Sequence, residues 1–237
     1  MKNRIVHTQY SVYSEKLTRD RVFAFVSDLH EYRVSPIFER VMECGAEALL
    51  VAGDCIHLHD QYERGIRFLT LCAKEMAVYV SVGNHEIKSE LDYASLIRKT
   101  GAILLDDSWE DIGEVRIGGL TSGSISGRRA SREPNYGILR EMCKTEKYTV
   151  LLCHHPEYYD WFIKGKGVDL TLSGHAHGGQ WRFFGRGIYA PGQGIFPKHT
   201  SGFCDDGFIV SRGIGNKYPL PRIGNQPEVI TLRLCAE

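Results

Sequence analysis

The sequence predicts an α/β protein in which helices pack on the outer face of a β-sheet. Short apolar runs of strand length alternate with segments whose apolar residues recur at helical spacing, and the second half of the chain is rich in glycine and in strand-like sequence. The length of 237 residues is enough to bury a substantial core, and no internal repeat, low-complexity tract or linker divides the chain. We therefore expect one domain, spanning residues 1–237.

The first half of the chain alternates between strands and helices. Apolar runs predict strands at 22–26, 48–52 and 77–82, and helical spacing predicts helices at 34–42, 62–76 and 91–98. The third helix has the weakest pattern, and Gly101 ends it. This β-α-β-α-β repetition indicates a sheet with helices packed against it.

Beyond Gly101 the pattern changes to short strands. They are predicted at 103–105, 109–112, 115–117, 149–153, 168–172, 181–184, 187–190, 207–212 and 229–234. The turn Gly113-Glu114 joins two of them as a hairpin, and one helix is expected near 136–144.

Charge and cysteine usage narrow the class of protein. With 29 basic and 29 acidic residues the formal charge is zero, so no global field draws the chain to nucleic acid or to an anionic membrane. The seven cysteines are odd in number and lack C-x-x-C spacing, as expected for reduced thiols in a cytoplasmic protein. The first eight residues contain no long apolar run, so neither a signal peptide nor a membrane span is expected. The oligomeric state is left open.

Polar clusters follow five of the predicted strands, at the point where each strand ends. They are Ser27-Asp28-Leu29-His30, Gly53-Asp54, Gly83-Asn84-His85-Glu86, His154-His155 and Gly174-His175-Ala176-His177. Ligands of α/β proteins collect at the carboxyl ends of strands, where loops lie close together on a rigid scaffold. Carboxylates with neutral imidazoles suit borderline divalent ions such as Mn, Fe or Zn. The clusters therefore predict a two-metal hydrolytic centre.

Each cluster alone has an ordinary explanation. A Gly-Asp pair is usually a turn, and a Gly-His-x-His segment is often a solvated loop. Their occurrence at successive strand ends favours one shared site. Strand geometry leaves the choice between His154 and His155 open, because neighbours on a strand point to opposite faces.

The clusters reproduce, in order, the motifs D-x-H, G-D, G-N-H-[DE], H and G-H-x-H. With these motifs the chain resembles the calcineurin-like metallophosphoesterases over about residues 21–212, and the segment 174–180 is similar to their small single-domain bacterial phosphohydrolases. The resemblance implies an α/β (α+β) fold, a four-layer α-β-β-α sandwich of two mixed β-sheets flanked by helices.

The resemblance also implies roles for individual residues. Asp28, His30 and His177 would hold one metal, Asn84, His154 and His175 would hold the other, and Asp54 would bridge both. Two divalent ions (Mn, Fe or Zn, with Mn favoured) would activate a bridging hydroxide, which attacks phosphorus. His85 is adjacent to a ligand but is not assigned to a metal, and we expect it to be the general acid.

Substrate contacts are less defined. The polar loop between Gly118 and Pro134 ends in basic residues, so Arg128 and Arg129 could hold a substrate phosphate; a solvated loop is the alternative.

The expected function is metal-dependent hydrolysis of a small-molecule phosphomonoester or phosphodiester. The first alternative is a nuclease, which the zero net charge disfavours. The second is a non-catalytic interaction scaffold, which would not need an intact set of metal ligands.

Overall fold

The structure is a computed structural model that describes residues 4–30, 32–56, 62–123, 125–126, 129–130, 134–216 and 221–237. In chain order its strands are β1 (Val6–Ser14), β2 (Arg21–Val26), β3 (Ala48–Ala52), β4 (Ala77–Ser81), β5 (Ile103–Leu105), β6 (Ser108–Ile112), β7 (Val115–Leu120), β8 (Ile125–Ser126), β9 (Arg129–Ala130), β10 (Tyr148–Cys153), β11 (Leu170–Ser173), β12 (Arg182–Phe183), β13 (Arg186–Gly187), β14 (Tyr189–Ala190), β15 (Gly194–Ile195), β16 (Gly202–Asp205), β17 (Phe208–Val210) and β18 (Glu228–Ala236). Its helices are α1 (Val34–Met42), α2 (Tyr62–Cys72), α3 (Asn84–Lys88), α4 (Tyr93–Lys99) and α5 (Tyr136–Met142), with a π-helical turn at Tyr159–Ile163 and a 3-10 turn at His177–Gly179.

Two mixed six-stranded sheets form the centre of the molecule. The first has the strand order β1-β18-β2-β3-β4-β5 and the second has the order β16-β17-β11-β10-β7-β6. In the first sheet β2 to β5 run parallel, and β18 is antiparallel to β2. In the second sheet β7, β10, β11 and β17 run parallel, with an antiparallel strand at each edge.

Alternate residues of each central strand face different layers. In β3, Leu50 joins the core between the two sheets, whereas Leu49 joins the core beneath α1, α2 and α4. In β10, Leu152 faces the first sheet and Leu151 faces the side covered by α5 and the π-helical turn. Because side chains alternate along a strand, a strand covered on both faces is a continuous apolar run, and the sequence shows such runs.

The layers are therefore helices, sheet, sheet and helices, and the predicted four-layer α-β-β-α sandwich is confirmed. Strand β1 was not among the predicted elements. It lies at the edge of the first sheet, where half-buried and exposed residues alternate, so it has no apolar run. Its parallel pairing with β18 covers Val6 to Ser14.

Among the residues that the structure describes, none of the helices has both the length and the apolarity needed to cross a membrane.

Candidate metal centre

The loops after β2, β3, β10 and β11 are joined to one another by backbone hydrogen bonds. The Asp28 amide donates to the Gly53 carbonyl at 3.2 Å, and the Gly174 amide donates to the His154 carbonyl at 3.1 Å. The Asp28 carboxylate in turn accepts from the His175 amide at 3.0 Å. These contacts hold the polar clusters of both sheets against each other.

One group of ligand-type side chains consists of Asp28, His30 and His177. One atom from each lies within 4.8 Å of the others, and all three side chains are buried. His177 Nε2 is 3.6 Å and His30 Nε2 is 3.9 Å from Asp28 Oδ1. This group contains the residues predicted for the first metal.

A second group consists of Asp54, His154 and His175, again with ligand atoms within 4.8 Å of one another. His154 Nε2 is 3.1 Å from Asp54 Oδ2 and 3.1 Å from His175 Nδ1. Asp54 also forms a group with His30 and His85, so its carboxylate lies between the two sets of histidines. That is the position expected of a bridging ligand.

His154, rather than His155, is the histidine that the structure brings to Asp54. Its Nδ1 lies 2.8 Å from the Ala52 carbonyl oxygen, to which it donates, so Nε2 is the nitrogen left for a cation. A metal-ligating histidine commonly makes such a bond through its other nitrogen, because the bond fixes the tautomer and the ring orientation. His155 packs against His154 with ring centroids 5.2 Å apart and lies beside Glu157.

The donor atoms fit a pair of divalent cations. Asn84 is buried, and within the described part of the chain its Oδ1 has no hydrogen-bond partner. A buried amide oxygen without a partner is costly, and a cation would satisfy it. Oxygen from carboxylate and amide together with imidazole nitrogen is the donor set that Mn, Fe and Zn accept.

Five of the predicted ligands have a left-handed backbone. Their φ angles are 52° for Asp28, 44° for His30, 52° for Asp54, 63° for His175 and 46° for His177. Non-glycine residues rarely adopt this conformation, and it costs of order 1–3 kcal/mol where it occurs. Such strain concentrates at functional sites, where the surrounding structure maintains it.

Glu86 holds the loop that carries Asp54. Its carboxylate accepts from the backbone amides of Asp54 at 2.9 Å, Gly83 at 2.8 Å and Ile56 at 2.8 Å. Burial, and then the charge of Asp54, raise the pKa of Glu86. The fourth residue of the Gly83-Asn84-His85-Glu86 cluster therefore links the loop after β3 to the loop after β4.

Electrostatic coupling within the centre is strong. Burial acts to raise the pKa of Asp54, but His154 and His85 hold it well below its usual range. Burial opposes ionisation of His154, yet Asp54 raises the pKa of this histidine to about 10. Burial lowers the pKa of His177 to about 4, and burial together with His155 and His154 lowers that of His175 far below its usual range. The low pKa values keep His175 and His177 in the neutral form that binds a cation, whereas His154 would release its proton when it binds one.

His85 lies at the more open side of the centre. Its side chain is 19% exposed, and Nε2 is 3.9 Å from Asp54 Oδ2. Its backbone amide donates to Asp54 Oδ1 at 2.9 Å, and its ring centroid is 4.6 Å from that of His30. The ring is therefore held beside both groups of ligands.

The arginines predicted to bind substrate are not placed. Arg128 lies outside the described residues, and for Arg129 only the backbone of β9 is described. Two side chains near the centre were absent from the predicted site: Arg222, whose Nη2 lies 3.3 Å from His177 Nδ1, and Glu157. Glu157 is close in sequence to His154-His155, which is a signal that could have found it; Arg222 has no such signal.

The chain is similar to known proteins of one family. A family model described as calcineurin-like phosphoesterase matches residues 21–179. An uncharacterized protein of Bacillus subtilis, YpbG, is 38% identical over 89% of this chain and 80% of its own length. Uncharacterized metallophosphoesterases of Aquifex aeolicus and Campylobacter jejuni are 29% and 28% identical, over 95% and 87% of this chain and over 90% and 55% of their own lengths. The match over most of the chain confirms the resemblance seen in the sequence motifs, and the chain belongs to the calcineurin-like phosphoesterase family.

Proposed function

We propose that this enzyme hydrolyses a phosphomonoester or phosphodiester of a small molecule at a dinuclear metal centre. Membership of the family makes the chain a metal-dependent hydrolase that acts on phosphoric ester bonds. The observation that carries the finer proposal is the position of Asp54, whose carboxylate lies within 4.8 Å of ligand atoms in both groups of histidines.

The proposed ligands are those predicted from the motifs. Asp28, His30 and His177 would hold one cation, Asn84, His154 and His175 would hold the other, and Asp54 would be shared. Two divalent ions, with Mn favoured over Fe or Zn, would supply Lewis acidity and a nucleophilic water at neutral pH. Only two carboxylates, Asp28 and Asp54, belong to this set, so it would keep a positive charge that attracts a phosphoryl oxygen.

We assign His85 the role of general acid. A general acid must reach the leaving oxygen, and His85 is the partly exposed histidine beside the buried ligand groups. Its backbone amide donates to Asp54 Oδ1, and its Nε2 lies 3.9 Å from Asp54 Oδ2, so the residue is held beside the proposed shared ligand.

A small-molecule substrate is favoured over nucleic acid because the formal net charge is zero. The strained, buried ligand set disfavours a scaffold, which has no use for it. The roles of Arg128 and Arg129 stay predictions. A cytoplasmic location is proposed on the seven free cysteines.

The test uses the protein stripped of metal and then loaded with Mn²⁺. We expect the loaded protein to hydrolyse bis-p-nitrophenyl phosphate above a metal-free blank, and Asp54→Asn to lose both turnover and bound metal. The matched control is Asp111→Asn, which removes a carboxylate that pairs with Arg116 at the surface and should leave turnover unchanged. Turnover in Asp54→Asn equal to that in the control would reject the shared ligand.

A further inference from the structure

We propose that Glu157, together with His155, positions the metal ligand His175 and so sets the affinity of the second metal site. This role rests on the proposed function, because it presupposes that His175 binds a cation. Glu157 would touch neither substrate nor metal; it is a positioning residue that acts through an imidazole.

These three side chains form a cluster behind the second group of ligands. One ligand-type atom from each of His155, Glu157 and His175 lies within 4.8 Å of the others. His155 Nδ1 is 3.5 Å from Glu157 Oε1, and the ring centroids of His155 and His175 are 4.3 Å apart. Their exposed fractions are 0% for His155, 5% for Glu157 and 6% for His175.

The polar atoms of the cluster are sealed from solvent. Within the described ranges, neither carboxylate oxygen of Glu157, neither ring nitrogen of His155 and not the Nε2 of His175 has a hydrogen-bond partner. A buried carboxylate without a donor carries a large desolvation cost, and so does a buried N–H without an acceptor. The other members of the cluster are ligand-type groups within 4.8 Å and can supply the missing partners.

Metal binding by His175 would provide a donor for the Glu157 carboxylate. His175 Nδ1 lies 3.1 Å from His154 Nε2, so Nδ1 is the nitrogen that points to the second metal site. A neutral imidazole that gives Nδ1 to a cation must carry its proton on Nε2. That N–H then needs an acceptor, and Glu157 is the carboxylate in the same cluster. Carboxylate–histidine–metal arrangements of this kind fix the ring and raise its basicity.

Gly192 leaves room for the Glu157 carboxylate. A Cβ atom at this glycine would lie 2.1 Å from Glu157 Oε1, and the glycine has a φ of +75°. The close approach requires a residue without a side chain, so a substitution at Gly192 forces the Glu157 carboxylate to leave its position. The chain therefore offers a way to move Glu157 without replacing it.

A third cation in the cluster is the competing explanation. His175 would then have to give one nitrogen to each of two cations and lose its ring proton altogether. Positioning needs no such deprotonation, so the cluster fits that role better.

The experiment measures Mn²⁺ affinity by calorimetric titration of the metal-free protein, one site at a time. In a His177→Ala background, which lacks a ligand of the first site, the remaining equivalent reports the second site; an Asn84→Ala background reports the first. We expect Glu157→Gln to raise the Kd of the second site by about 10- to 100-fold and to leave that of the first within a factor of about two. The matched control is Glu228→Gln, which alters a buried carboxylate that pairs with Arg212 at 2.8 Å and belongs neither to the cluster nor to the groups of ligands.

Gly192→Ala provides the second variant if Glu157→Gln does not fold, and it should weaken the second site in the same way. Unchanged Kd values at the second site in both variants would overturn the positioning role. A second result would also overturn it. If the unsubstituted protein binds three equivalents of Mn²⁺ and Glu157→Gln, as a single substitution, binds two, then the cluster holds a metal of its own. Failure of the unsubstituted protein to bind Mn²⁺ would instead contradict the proposed function itself.

Discussion

His85 differs from the neighbouring histidines in its exposure. Its side chain is 19% exposed, whereas those of His154 and His177 are 0% and 5% exposed. A residue that gives a proton to a departing alkoxide must meet the substrate, whereas a metal ligand is better protected from water. Exposure therefore separates the proposed acid from the proposed ligands.

We expect His85→Ala to keep its metal and to lose turnover by roughly two to four orders of magnitude with a substrate that has a poor leaving group. The reason is that an alkoxide of high pKa leaves only when it receives a proton. Substrates that leave as nitrophenolate need no proton and should lose far less. Steady-state rates over a series of leaving groups, with metal content measured on each preparation, check this. An equal loss along the series would reject the acid role.

Glu86 shows how one buried carboxylate can organise two loops. Its carboxylate accepts three backbone N–H groups, from Asp54, Ile56 and Gly83. In Glu86→Gln one of the oxygens becomes an NH₂ group, which faces donors instead of accepting from them.

We expect Glu86→Gln to lower the free energy of unfolding by about 1–3 kcal/mol, because buried N–H groups lose their acceptor. Denaturant unfolding of the metal-free protein measures this without any contribution from bound cations. Glu110→Gln, at an exposed position of β6, is the matched control and should change stability little. Equal free energies of unfolding in the two variants would show that the hydrogen bonds of Glu86 do not stabilise the fold.

At the level of elements, the loops after β3 and β4 approach each other through glycines. A Cβ atom on Gly83 would lie 2.2 Å from Asp54 Oδ1 and 2.8 Å from Glu86 Oε2. Since the φ of Gly83 is −91°, an alanine there has no backbone strain and its effect is purely steric.

We therefore expect Gly83→Ala to displace the Asp54 carboxylate and to weaken Mn²⁺ binding at both sites, because Asp54 is proposed to serve both. Gly137→Ala is the matched control, since Gly137 lies in α5 and the nearest atom to its Cβ would be the side-chain oxygen of Asn135 at 3.2 Å, which belongs to none of the groups of ligands. Calorimetric titration with Mn²⁺ distinguishes the two variants. Unchanged Mn²⁺ binding in Gly83→Ala would show that the Asp54 carboxylate does not need this position to bind the cations.

The elements that sequence patterns predicted well are those with a strong local signal. Strands β3 and β5 have the predicted bounds, because both faces of such strands are covered and the apolar run ends where the burial ends. The short helix α3 was not predicted. It has five residues, too few for a periodic pattern, and it is held by the hydrogen bonds of Glu86 instead. The π-helical turn Tyr159–Ile163 also has no such pattern.

At the level of the whole molecule, the motifs predicted which side chains meet at the strand ends, but not what supports them. Arg222 contacts the centre only because the chain folds back, and no fixed spacing marks that contact, whereas Glu157 follows His154-His155 closely in the sequence. The pairing of β1 with β18 brings together the first and the last strand, and no sequence spacing indicates it either. The four-layer arrangement itself came from the family resemblance, since helical and strand periodicity do not say which sheet faces which.

The packing of one sheet on the other should dominate stability. Phe23 is 0% exposed and belongs to the core between the sheets, whereas Phe184 is 106% exposed beside β12. We expect Phe23→Ala to lower the free energy of unfolding by about 3–5 kcal/mol, because the lost apolar contact is compounded by a cavity that the two rigid sheets cannot close. Phe184→Ala should stay within about 0.5 kcal/mol of the unsubstituted protein, since its ring gains nothing from burial. Urea unfolding of both variants measures the difference. A loss below about 1 kcal/mol in Phe23→Ala would mean that the two sheets do not form one packed core.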